Sequence, residues 1–166
     1  MLVRTATAAD AASIAQIHVE TWRVAYRGQI PDAVLNGLDV GRRTFFWQER
    51  LSQGSGAVFV AEDGDSITGF CDLVPSRDKD ADARTVAEIV AIYILPQHWR
   101  KGTAGRFAIV LWRQLADKIT RRSHFGSSPR TVMRNVFTKQ WASVLMGLQK
   151  QTGRLMAVSC MRFDIA

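Results

Sequence analysis

The sequence predicts an α+β domain built on a mixed β-sheet. Three observations carry that expectation. Short β-branched runs are interspersed with amphipathic stretches in the order β-α-α-α-β-β-β-α-β-α-β. The most apolar run, Glu88 to Leu95, stops at Pro96 and leads through a small-residue turn into a helical stretch. The chain has 166 residues, enough for one sizeable core, with no repeat, low-complexity tract or interdomain linker. Residues 1–166 are therefore expected to form a single domain.

The elements follow in order. Val3 to Thr5 is a short strand. Thr7 and Asp10 have the spacing of a helix start, and Ile14, Ile17, Thr21 and Trp22 continue at helical spacing to about Val24. Pro31 opens a short second helix that Asn36-Gly37 closes. Gly41 to Leu51 is a third helix, with Phe45, Phe46 and Leu51 on or near one face. Val58–Ala61 and Ile67–Leu73 form a hairpin whose turn is Glu62-Asp63-Gly64-Asp65, with Asp63-Gly64 a favourable hairpin dipeptide. A charged loop follows from Pro75 to Asp82. The central strand spans Ala87–Leu95, and Phe107–Ile119 is a helix. Thr131–Met133 is a strand, Phe137–Leu148 a helix with Trp141, Val144, Leu145 and Leu148 at helical spacing, and Leu155–Phe163 the last strand.

Charge is unevenly distributed. The net charge is +7. From Pro96 onward thirteen Arg and Lys face two acids, Asp117 and Asp164, which is +11 and leaves −4 for residues 1–95. Such a half attracts polyanions, either coenzyme phosphates or nucleic acid. The plain alternative is a solvated basic face with no partner, and only the cations beside Gly102 are assigned a function. Phe and Trp are not interleaved with Arg and Lys in a nucleic-acid-binding motif, so no nucleic-acid partner is expected. No apolar run is long enough for a membrane helix, and the first residues lack a secretory core. Cys71 and Cys160 are the two cysteines; neither belongs to a metal-ligand spacing, so no metal is expected and the cytoplasm is the expected compartment.

Chemistry concentrates at one junction. The strand ending at Pro96 is followed by Gly102-Thr103-Ala104-Gly105, flanked by Arg100, Lys101 and Arg106. The first N–H groups of a helix lack intrahelical partners, and the helix dipole adds partial positive charge there. Small residues let a phosphate approach the backbone. The junction resembles the acetyl-CoA site of the GNAT (Gcn5-related N-acetyltransferase) family, in which an Arg/Gln-x-x-Gly-x-Gly/Ala loop follows such a strand. Gly102-Thr103-Ala104 matches Gly-x-Ala, and Trp99 departs from the Arg/Gln position. His18 to Pro31 resembles the amino-terminal segment of a bacterial GNAT subgroup, and Val60 to Gly64, Thr68 to Phe70 and Gly147 to Arg154 match further parts. The resemblance covers nearly the whole chain. It implies a central mixed, mostly antiparallel sheet flanked by helices and splayed between its fourth and fifth strands.

It also implies direct acetyl transfer from acetyl-CoA to an amine of a small molecule or protein. The coenzyme would be held by the backbone of Ile92, Tyr93 and Ile94 and by Arg100, Lys101, Gly102, Thr103, Ala104, Gly105 and Arg106. Glu88, at the start of the central strand, is the candidate base, since desolvation can raise a carboxylate's pKa; an exposed strand-end glutamate is the plain alternative. Trp22 and Tyr26 lie where the family's first helices border the acceptor pocket, although Trp22 also falls in the apolar stripe. The family's usual tyrosine acid is missing, since the only tyrosines are Tyr26 and Tyr93. Ser143 falls at that position counted back from Gly147, and a lost acid costs roughly 10²–10⁴ in rate. His18, His98 and His124 have no partner motif and are given no role. Family members often dimerise, so a homodimer is compatible with the resemblance. Three readings follow: an active N-acetyltransferase, an acyl-CoA-binding protein with little or no catalysis, and a nucleic-acid-binding module.

Overall fold

The computed structural model describes residues 1–54, 56–75, 77, 79, 86–122 and 161–164. The strands are β1 (Leu2–Thr5), β2 (Ala57–Asp63), β3 (Ser66–Pro75), β4 (Val86–Ile94) and β5 (Met161–Asp164). The helices are α1 (Ala11–Ala25), α2 (Asp32–Asn36), α3 (Val40–Ser52) and α4 (Thr103–Arg122). Short 3₁₀ turns at Ala8–Asp10 and Pro96–His98 precede α1 and α4. The described strands form one sheet in the order β1-β2-β3-β4-β5, and every pairing among them is antiparallel. The α+β class is as the sequence predicts. The predicted strand at 131–133 and helix at 137–148 lie outside the described residues.

Two apolar layers enclose the sheet. On one face α1 and α3 bring Ile14, Ile17 and Trp47 onto Val58, Val60, Phe70 and Tyr93. On the other, Phe107, Ala108 and Leu111 of α4 cover Val3, Phe59, Cys71, Ile89 and Ile94. The start of α1 is tied down by Asp10, whose carboxylate accepts the Thr7 N–H at 2.6 Å and two Arg4 N–H groups at 2.7 and 2.8 Å. The aspartate thus makes the return bond of a capping box.

Three local expectations change. In α3 the buried aromatic is Trp47, 2% exposed, whereas Phe45 is 73% and Phe46 48% exposed. Trp47 and Leu51, four residues apart, share the face turned to the sheet, and Phe45 lies two positions off it. The hairpin turn expected over Glu62–Asp65 narrows to Gly64-Asp65, because Glu62 and Asp63 still pair, with Ile67 and Ser66. Gly64, at φ +61°, takes the left-handed position that such a loop demands. Finally, α4 begins at Thr103, four residues before the predicted Phe107, directly after the turn at Gly102.

Candidate active site

The site is built from β4. Against β3, Ala91 pairs with Asp72 but Ile89 with Leu73, so Val90 is an extra, bulged residue. The bulge puts Ile89 and Ile92 on the same face, toward α4, although they are three residues apart. Beyond it, Leu95 N–H donates to the Thr68 carbonyl at 2.9 Å. Alternation along an antiparallel ladder then directs the Tyr93 amide to β3 and those of Ile92 and Ile94 to the opposite edge. On that edge β5 pairs only with residues 86–89, so no described strand covers 90–94. Among the described residues the strand edge therefore presents two outward amide N–H groups, about 7 Å apart along the strand. Such donors can polarise a carbonyl oxygen, as an oxyanion hole does.

The strand runs straight into the phosphate-type loop. Arg100 has φ +61° and Gly102 φ +72°, two left-handed residues with Lys101 between them. A non-glycine residue held there is uncommon and marks a constrained turn. Nothing lies within 4 Å of where a Gly102 Cβ would stand, so space beside the loop is open. The amides at the start of α4, from Thr103, Ala104 and Gly105, are the helix's unpartnered donors. Thr103 is buried, Ala104 and Gly105 half-buried, and Arg100, Lys101 and Arg106 exposed around them. Arg106 also donates to the Lys101 carbonyl at 2.9 Å, bracing the turn. Backbone donors, dipole and cations at an open cradle fit a pyrophosphate.

The α1–α3 face carries an aromatic cluster. Trp22 and Tyr26 are half-buried with ring centroids 4.9 Å apart. His18 sits at its centre, with Trp22, Trp47, Phe70 and Tyr93 at 5.2 to 6.1 Å. Burial, and then the nearby Arg43 cation, pull the His18 pKa down to about 4, so the ring is neutral at pH 7. Burial likewise pushes the Tyr93 hydroxyl up to about 12, with Trp22 and Tyr26 beside it. The sequence had offered no role for His18. Its packing partners come from three other elements, so no local motif could announce it.

Glu88 is 2% exposed, not a strand-end carboxylate in solvent. Alternation from Ile89 turns it to the α1–α3 side. Arg77 holds it, through Nη2 and through Nε at 3.3 Å. Four residues of strand place Glu88 about 13 Å from Ile92, so a proton would reach it through water. Ser143 lies outside the described residues.

Residues 13–122 match the profile described as the Acetyltransferase (GNAT) family. The chain belongs to that family. A curated relative from Bacillus subtilis (strain 168), named Uncharacterized N-acetyltransferase YuaI, is 37% identical over 105 residues, 63% of this chain. The GNAT chain spans 57% of that relative's length. Among solved structures, YncA from Salmonella typhimurium, bound to its cofactor acetyl-CoA, superposes with a TM-score of 0.54. The match has 20% identity and covers 100% of this chain and 94% of YncA. PaiA N-acetyltransferase from Thermoplasma acidophilum, in complex with coenzyme A, gives 0.53 at 14% identity over 70% and 72%. Both likenesses are of fold.

Proposed function

We propose that this GNAT protein is a cytoplasmic N-acetyltransferase that moves an acetyl group from acetyl-CoA to a primary amine. The observation that carries the reading is the junction of β4 and α4, where two outward amides and an open, positively charged turn follow one another along the chain. Acetyl-CoA supplies an activated acyl group and a leaving thiolate. The chain's own contribution is positional and electrostatic. The turn at Gly102, the first amides of α4 and Arg100, Lys101 and Arg106 hold the phosphates. The amides of Ile92 and Ile94 lie along the edge where the acyl group would rest, and one of them donates to the acyl oxygen as negative charge gathers there. Trp22 and Tyr26 border the amine. Glu88 takes the amine proton through water, and Ser143, assigned to the leaving-group acid's position by sequence count alone, contributes little.

The second reading, a coenzyme-binding protein with little catalysis, is favoured by one observation. The Glu88 carboxylate is already engaged by Arg77, so its oxygens are occupied by a cation rather than open to the amine or a relaying water. An acetyl-transfer assay across small amines and peptide amines separates the two. Glu88→Gln is expected to lower kcat within the range of about 10²–10⁴ that a general base provides, with acetyl-CoA affinity kept. Ser143→Ala is expected to change kcat by less than about tenfold, below that range. Tight acetyl-CoA binding without transfer to any amine would leave the second reading standing.

A further inference from the structure

The Ile94 carbonyl accepts two hydrogen bonds from outside the sheet. Trp99 Nε1–H donates to it at 2.6 Å and the Thr21 hydroxyl at 3.2 Å. The next amide, Leu95 N–H, donates to Thr68 of β3. Both ends of the Ile94–Leu95 peptide are thus held, by α1, by the segment entering the phosphate loop and by β3. The placement matters because residues 90–94 have no described strand on their outer edge. Side-chain donors do there what a neighbouring ladder does elsewhere. Thr21 is 0% exposed, so its hydroxyl needs this acceptor. Trp99 is packed against the α4-side core and directly precedes Arg100. One carbonyl therefore links the strand edge carrying the two amides to the turn that takes the phosphates.

We propose that Thr21 and Trp99 are positioning residues for acyl transfer. By holding the Ile94 carbonyl they set the aim of the Ile92 and Ile94 amides while the coenzyme's phosphates sit at Gly102. Neither side chain need touch substrate. The inference rests on the acetyl-transfer reading given above.

The test uses Thr21→Ser, Thr21→Val, Trp99→Phe and the double variant Thr21→Val/Trp99→Phe. Two readouts are needed: steady-state kinetics, and the amide NMR shifts of Ile92 and Ile94 on titration with acetyl-CoA and with CoA. The shift difference between the two ligands isolates the acetyl carbonyl. Thr21→Ser keeps the hydroxyl and should match the wild type. Thr21→Val should lower kcat about tenfold with CoA affinity within about twofold, the pattern of an interaction used in the transition state. Its acetyl-CoA-minus-CoA shift should shrink. Trp99→Phe should do the same and also weaken CoA, because Trp99 anchors the loop. The double variant should fall short of the product of the singles, since both donors serve one oxygen. Thr21→Val with wild-type kcat and shifts but a lower melting temperature would overturn the inference, as would Thr21→Ser behaving like Thr21→Val. If the wild type acetylates no amine, the transfer reading fails, and the shift comparison still decides the positioning role.

Discussion

A Cβ at Gly69 would overlap Ile94 Cδ1 and stand 2.9 Å from the Tyr93 carbonyl oxygen. Glycine there lets β3 approach the end of β4 where the amides of the site lie. Gly69→Ala is expected to destabilise the fold by about 1–3 kcal/mol, the usual cost of overpacking, and to weaken acetyl-CoA binding with it. Urea denaturation and calorimetry read both. His18 makes a second residue-scale prediction. Its folded pKa of about 4 lies below the unfolded value of 6.5, so the unfolded chain binds the proton more readily. Stability is then full above pH 6.5 and falls as pH drops toward 4, by about 3 kcal/mol in total. Asp10, lowered to about 2 chiefly by Arg4, loses its contribution only below its ordinary 3.8, so the two windows separate. Denaturation at pH 7 and pH 4.5 should show the His18 loss, and His18→Phe should flatten it; equal slopes in both proteins would contradict the assignment. The Gly102 turn was legible in sequence because its parts are contiguous. The Thr21 bond to Ile94 was not, because it joins residues 73 apart and Thr21 by itself reads as one more position in a helical stripe.

At the scale of elements, α3 is locked to β3 by one buried pair. Arg50 Nη2 donates to Asp72 at 2.6 Å and to the Leu73 carbonyl at 3.1 Å, and the Asp72 side chain is 7% exposed. Burial pushes the Asp72 carboxyl up, and Arg50 pulls against that. Arg50→Met is expected to cost about 3–5 kcal/mol by leaving a buried carboxylate unpaired, and Arg50→Met/Asp72→Leu to recover most of it. A double-mutant cycle in urea measures this. Element order and approximate bounds were legible because periodicity and turn residues are local signals. The facing of α3 was not. Three consecutive aromatics, Phe45, Phe46 and Trp47, allow more than one helical face, and only packing against α1 and Phe70 selects Trp47. The bulge at Val90 has no sequence signature either, since apolar residues run through it unbroken from Ile89 to Leu95.

At the scale of the whole molecule, charge is the property most open to a second interpretation. Thirteen basic residues against two acids from Pro96 onward would suit a polyanion of any kind. Among the described residues, Arg100, Lys101 and Arg106 lie together at the turn before α4 and are exposed. No retention of duplex or single-stranded nucleic acid is expected in a gel shift at physiological salt; tight binding with a steep salt slope would contradict this. Among the described residues no helix is long and apolar enough to cross a membrane. The fold was legible over the described residues between 1 and 122, and the family match spans 13–122 of that range. The aromatic cluster around His18 was not, because it is assembled from α1, α3 and the sheet, far apart in the chain. The most direct measurement is a calorimetric titration of the wild type and Gly102→Glu with acetyl-CoA. Gly102 sits at φ +72° beside open space, so glutamate there adds backbone strain, bulk and like charge at the phosphate position. Saturable binding to the wild type and none to the variant, with both folded, is the expected result. Equal affinity in both proteins would place the coenzyme elsewhere and contradict the account.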